Sequence, residues 1–378
     1  MTQPILLDVT SLVAAPHRSG IQRVQREVIR HWPVSSELIL VALDPSGLMR
    51  RLPDAVGKLL APARDQVGAT FESDRAALQQ LVLRSDWLSD SKLRHVLNLE
   101  LFYDPWRADA YRRMCQSGWR IQWLVYDFMP WLHPELFPPG IVASCMPYLR
   151  ALRDVPDIAF ISQQTGEQYA HRVMRGQGRS GRVLPLGADG IGLERQTWSP
   201  SRTDVVAIGT LERRKNTHVL ISAFRSLWAS GVKARLVLAG RIDPTFRATL
   251  GECAADIAAG RLVVLDHPDD AAIRDALRSA RVLVSPSAVE GFGLTPLEAL
   301  NSGIPTITSD TLPSLGVLPR QGQIRLREIT TKALADAIKS VLRDDMAAKL
   351  WAEASSLQLP TWQSFTHAVA NWTEGPAQ

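Results

Sequence analysis

The sequence predicts an α/β protein made of two parallel-sheet domains facing a central cleft. Three observations predict it. Short apolar, β-branched runs alternate with amphipathic segments along nearly the whole chain, the pattern of strands joined by crossover helices. The 378 residues exceed one ordinary core and are comfortable for two. A polar, aperiodic stretch, "GIGLERQTWSPSRT" at 190–203, interrupts the alternation between its two halves. The domains are therefore set at 1–190 and 200–360, with a terminal helix at 361–378 packing back on the first.

In chain order, "PILLDVTSL" reads as a first strand. "GIQRVQREVIRHW" reads as a helix, with Ser19 as N-cap and Ile21, Val24, Val28 and Trp32 on one face. "ELILVAL" is the next strand. Residues 45–91 show a helix around Glu72 to Leu83 and otherwise loop-like sequence. "HVLNLEL", "RIQWLVYD", "DIAFIS" and "RVLPLGAD" complete the first half. "DVVAIG", "ARLVLAG", "RLVVLD", "ARVLVSPS" and "IPTITS" are the strands of the second. The closing helix, "TWQSFTHAVANW", carries Trp362, Phe365, Val369 and Trp372 at near-helical spacing. In open sheets of this kind, ligands sit beyond the carboxyl ends of the strands.

Composition narrows the function. A hydrophobic content of 46% with 21% charged residues fits a soluble globular protein. No run approaches the roughly 20 apolar residues that span a bilayer. The N-terminus lacks a basic region before its apolar run and reads as a buried strand rather than a secretory signal. Cys115, Cys145 and Cys253 have neither ligand nor redox spacing, so a reducing cytoplasm is expected. The net charge of +5 favours anionic partners such as nucleotides, but without the lysine-rich clustering of a nucleic-acid binder.

Two strand-to-helix turns carry the chemistry. In "ARVLVSPSAVEGFGLTPLEAL", glycines allow close backbone approach to a ligand. The helix start around Gly291, Phe292, Gly293, Leu294 and Thr295 offers N–H groups to phosphate or sugar oxygens. Glu298, read as lying in the first helical turn, can accept both hydroxyls of a ribose. Glu290, before the turn, can hold sugar hydroxyls or stabilise positive charge at an anomeric carbon. The plainer alternatives are a dipole-favoured helix residue and a solvated loop residue. In "VVAIGTLERRKN", Arg213, Arg214 and Lys215 form a cationic corner suited to a pyrophosphate, or else a solvated basic turn. Both turns follow strands of one predicted sheet and open on the same edge. A diphosphate carrying a ribose and a hexose would complement the pair.

At this point the sequence resembles a retaining glycosyltransferase of GT-B fold, with Rossmann-like domains, in family 4 (group 1). Glu290 and Glu298, with seven residues between them, match that family's glutamate pair. "GTLERRKN", "LVLAGR" and "VLPLGAD" resemble its phosphate turn, next strand and pre-linker strand. "DVTSL", "SGIQRV" and "VYDFMPWLHPELF" resemble a bacterial subgroup that adds mannose or related sugars to surface polysaccharides. The resemblance implies that Glu298 binds the ribose and Glu290 lies against the donor sugar. It also implies that Lys215, with Arg214 or Arg213, neutralises the leaving diphosphate. Gly20 would approach the phosphates, and the base would rest near His267 and Pro268. Two positions depart from the family pattern. Thr210 stands where many relatives carry an arginine, and Tyr126 where many carry a histidine. Asp127 then becomes the candidate sugar contact, or the residue that ties down "DFMPW".

The implied reaction is retaining transfer of a hexose from a nucleoside-diphosphate sugar, GDP-mannose first, to a glycan or lipid-linked acceptor in surface polysaccharide biosynthesis. No further cofactor is expected, and with no Asp-x-Asp near a strand end, no metal. A nucleotide-sugar epimerase and an inactive nucleotide-sugar-binding partner are the alternatives. On the acceptor side, Arg23, Arg26 and Arg30 form a basic stripe on the first helix, fit for an anionic membrane or for solvent. His17 and Arg18 lie on the approach to Gly20. Trp87, Trp106, Trp119, Trp123 and Trp131 make the first half rich in tryptophan. A cytoplasmic protein, with peripheral contact at the inner membrane face as a further reading, is expected.

Overall fold

The structure is a computed structural model and describes residues 3–17, 19–61, 71–90, 92–176 and 181–375. It divides into two compact units, Met1–Gly187 with Pro360–Gln378, and Ala188–Leu359. The polar segment 190–203 belongs to the second unit. Arg18 lies outside the described residues.

The first unit is built on β1 (Ile5–Asp8), β2 (Leu38–Leu43), β3 (Met49–Arg51), β4 (His95–Asn98), β5 (Arg120–Val125), β6 (Asp157–Phe160) and β7 (Arg182–Val183). Their order is β3-β2-β1-β4-β5-β6-β7. All neighbours are parallel except β2 and β3. The antiparallel edge strand β3 falls within the region that reads as loop. Its "MRR" has no apolar run to betray it, and its pairing comes from Asp44 to Gly47 reversing the chain, with the Gly47 N–H donating to the Asp44 carbonyl at 2.9 Å. The first strand ends earlier than the sequence implies. "TSLVA" is a helical turn, Thr10–Ala14. The helix expected around Glu72 spans Phe71–Leu83.

β1, β4 and β6 are buried along their whole length, as strands covered on both faces must be. The helix Gly20–His31 begins where Ser19 caps it, accepting from the Gln22 N–H at 3.2 Å. The terminal helix Trp362–Glu374 packs on Gly20–His31 and buries all four residues of its apolar stripe. Trp123 is fully buried, whereas Trp87 and Trp131 remain partly exposed.

The second unit contains β8 (Asp204–Ile208), β9 (Leu236–Ala239), β10 (Leu262–Leu265), β11 (Ala280–Ser285), β12 (Thr306–Ser309) and β13 (Gln323–Leu326). All pair in parallel in the order β10-β9-β8-β11-β12-β13. β13 is a sixth strand that the sequence hides, since "QIRL" is short and only partly buried. The strand order reverses direction between β8 and β11, a topological switch point, where the carboxyl ends of the strands leave a crevice.

Candidate active site

The turns that follow β8 and β11 are joined to each other at this switch point. After β8 the chain makes one 3₁₀ turn, Arg213–Lys215, then left-handed Asn216 opens the helix Thr217–Ala229. Asn216 donates its side-chain amide to the Pro286 carbonyl at 2.9 Å, and the Ala288 N–H donates to the Arg214 carbonyl at 2.9 Å. Arg214 Nη1 donates to the Val289 carbonyl at 2.8 Å and lies 3.4 Å from the Glu290 carboxylate. Its Nη2 donates to Glu212 at 2.5 Å. Lys215 Nζ donates to Glu290 Oε1.

The two expected corners are thus one cluster. Glu290 is paired directly to the cations rather than standing apart from them. Its side chain is only 11% exposed. Burial alone would push the Glu290 carboxyl up. Lys215 and then Arg214 outweigh that burial and hold it below the ordinary value of 4.5. Arg213 differs from its neighbours, being exposed and without an ion-pair or side-chain hydrogen-bond partner among the described residues. Burial, and then Arg213, push the nearby His218 below its ordinary value. A cavity of about 20 Å³, with Gly209, Thr210, Lys215 and Pro286 among its lining, lies at the strand ends.

The loop after Glu290 is pinned from behind. Gly293 sits at φ +94° as N-cap of the helix Leu294–Asn301. A Cβ there would fall 2.7 Å from Leu312 Cδ2, so the turn needs glycine on two counts. The Ser314 N–H donates to the Phe292 carbonyl at 2.8 Å, and its hydroxyl to that of Gly293 at 2.9 Å. Phe292 is buried, Gly291 half-buried, and Leu294 and Thr295 are half-buried at the helix start. No side chain caps this helix. Glu298 departs from expectation. It is the fifth helical residue, past the first turn, and is buried at 3% exposure. The helix begins at Leu294, directly after left-handed Gly293 and one residue ahead of the expected "TPLEAL", and this earlier start carries Glu298 just past the first turn.

His267 and Pro268 lie beyond β10, the edge strand, two strands from β8. His267 is exposed, has φ +50°, and places Nδ1 2.7 Å from Asp266.

In the first unit, Gly20 is the exposed first residue of its helix. Asp127 follows β5 and accepts the Met129 N–H at 3.0 Å, which ties down the turn. Tyr126 is buried and donates its hydroxyl to the Leu99 carbonyl at 2.9 Å, so it is a core residue. The stripe on the first helix is internally committed. Arg26 donates to the His17 carbonyl at 2.9 Å, and Arg30 pairs with Glu27 at 2.6 Å.

The sequence reading missed one cluster. At the switch point between β1 and β4, fully buried Arg107 donates to Asp8 at 2.6 Å, to Ser11 at 2.8 Å and to Glu100. Glu100 also accepts the Ser11 and Leu12 N–H groups, both at 2.9 Å, capping the helical turn Thr10–Ala14. Tyr111 donates to Asp8 at 2.5 Å. Burial would depress the Arg107 pKa, but Asp8 and Glu100 keep it above its ordinary value. These partners are 99 and 7 residues from Arg107 and share no motif. The only sequence signal is a charged residue ending an apolar strand.

Two parallel-sheet, Rossmann-like units with paired charged turns at a switch point define a GT-B-like α/β protein. HepE of Anabaena, solved in complex with UDP and glucose, has this fold, with a TM-score of 0.65 at 14% identity over 98% of each chain. Residues 194–357, within the second unit, match the model of the family described as glycosyl transferases group 1. The chain is similar to the serotype-specific mannosyltransferase WbdA of Escherichia coli, 23% identical over 332 residues, or 82% of this chain and 38% of WbdA. It is also similar to a glycogen synthase of Mycobacterium tuberculosis, 30% identical over 177 residues, or 44% of this chain and 41% of that one. The chain thus spans about two fifths of the length of these curated relatives.

Proposed function

We propose that the protein transfers a hexose, with retention, from a nucleoside-diphosphate sugar to a glycan or lipid-linked acceptor. The observation that supports it most is the Lys215–Glu290–Arg214 cluster at the switch point of a unit that matches a glycosyltransferase family model. The bond between anomeric carbon and phosphate oxygen breaks, and its electron pair leaves with the diphosphate. The acceptor hydroxyl bonds the anomeric carbon on the same face, and its proton passes to the departing phosphate. The residues must stabilise the diphosphate charge. Lys215 and the exposed Arg213 supply it, with the uncapped helix start at Leu294. Glu290 holds Lys215 and Arg214 in place and faces the sugar. Glu298 takes the ribose hydroxyls, and His267 and Pro268 adjoin the base.

Mannose is the first choice of donor sugar, supported by the N-terminal resemblance and by WbdA's name. The glycogen synthase and the UDP and glucose bound to HepE make a glucose donor the principal competitor. Surface polysaccharide assembly is the proposed setting. A thermal-shift screen across GDP, UDP, dTDP and ADP sugars tests the donor. A ligand at a hundred times its Kd adds about 2.7 kcal/mol. Incubation with the labelled winner tests the reaction. Transfer or slow hydrolysis supports it; an epimeric nucleotide sugar, or binding without turnover, overturns it.

A further inference from the structure

A second, unrelated cavity lies wholly within the first unit, about 540 Å³ in volume and within the range of small-molecule sites. Four arginines line it. Arg150 and Arg153 lie one turn apart on the helix Ile141–Asp154, and Arg172 and Arg175 on the turn that follows Gln163–Gln168. All four are exposed, and none has a side-chain ion-pair or hydrogen-bond partner among the described residues. The acidic neighbour Asp154 pairs with Arg112 instead, at 3.3 Å. The contrast with the first helix is sharp, where Arg26 and Arg30 are engaged within the unit.

The rest of the lining is apolar. Met146, Leu149 and Met174 lie among the arginines. Trp131 adds a ring that is 37% exposed. Four unpaired guanidiniums call for a phosphate-bearing ligand. A bare anion would leave the methionine and leucine surface wet, whereas a lipid carries apolar matter beside its phosphate. A half-exposed indole suits the headgroup level of a membrane, and methionine adapts to irregular chains.

We propose that this cavity binds the phosphate headgroup of an anionic lipid and docks the first unit on an anionic membrane surface. The proposal is independent of the donor chemistry at the second unit's switch point. It also places membrane contact away from the basic stripe of the first helix.

The test is flotation of the full chain with phosphatidylcholine vesicles, with and without phosphatidylglycerol. The protein is expected to float only with the anionic lipid. Each arginine removed should weaken partitioning about fivefold, so Arg150→Gln with Arg172→Gln should weaken it about 25-fold. Both side chains are exposed, so the double variant should keep the parent's unfolding midpoint. Met146→Glu, which retains all four arginines, should also lose binding, and Arg23→Gln should float like the parent. Equal flotation of the double variant, or loss of flotation in Arg23→Gln alone, overturns the proposal. So does inorganic pyrophosphate binding as tightly as the vesicles, which would mark a plain anion site.

Discussion

Lys215 and Glu290, 75 residues apart in the chain, meet as a hydrogen-bonded ion pair that ties the turn after β8 to the turn after β11. Both turns leave the carboxyl end of the same sheet, on the two strands that flank its switch point. The pairing fixes the Lys215 ammonium at the mouth of the switch point. Under the proposed function, the donor diphosphate then competes with Glu290 for Lys215.

Lys215→Ala should lower transfer more than about tenfold, since a preorganised cation opposite a departing charge is worth at least ~1.4 kcal/mol in the barrier. The fall should appear in kcat more than in KM. Steady-state kinetics with the donor identified by thermal shift checks it; near-normal turnover sinks the assignment of Lys215 to the diphosphate.

Glu290→Gln separates binding from chemistry. Removing the carboxylate frees Lys215 and Arg214, so a nucleoside diphosphate without sugar should bind several-fold more tightly, while transfer falls. Calorimetric titration of the diphosphate gives the sign. Weaker binding would show that Glu290 acts on the diphosphate by holding the cations in place rather than by competing for them.

His95 sets an acid limit. It is buried, with Nε2 2.7 Å from Gln122 Oε1, and Gln122 in turn donates to Asp157 at 2.6 Å. Burial is the largest influence and leaves the imidazole below its ordinary value of 6.5. The folded state therefore binds fewer protons than the unfolded state in this range. Stability from this group is unchanged above pH 6.5 and declines as pH falls from there toward the lowered folded-state value. Glu290, held low, keeps its charge throughout that interval and adds no slope until below 4.5. Unfolding midpoints should drop between pH 7 and 5.5, and His95→Gln should flatten the decline.

Arg107→Ala should cost about 3–5 kcal/mol, because Asp8 and Glu100 are left buried without their cation. Arg107→Lys should rescue little, since one ammonium cannot replace a fork that serves Asp8, Glu100 and Ser11 together. Hydrogen exchange at the Ser11 and Leu12 amides, which Glu100 accepts, gives a local readout in a two-unit chain.

Gly293→Ala should destabilise the second unit by about 1–2 kcal/mol from its left-handed backbone alone. The clash with Leu312 should also shift the helix start and weaken donor binding. Alanine at Gly231, also left-handed but with nothing near its Cβ, isolates the backbone cost from the packing cost.

The alternation of strand and helix could be read directly, because a strand buried on both faces must be apolar throughout: "ILLD", "LVLA" and "ARVLVS" announce themselves. β3 and β13 escaped because edge strands need little apolar surface. Residues 213–215 and 290 were legible as charged turns at strand ends, and Gly293 as a turn glycine, since those are local properties. That Lys215 bonds Glu290, that Glu298 is buried past the first turn, and that Arg107 seals the other switch point were not. Each depends on strand order and on where a helix starts. Local chain chemistry encodes periodicity and turn type within a few residues. Which charges neutralise one another is settled only when the sheet brings distant strand ends side by side, where burial removes water and makes the pairing obligatory.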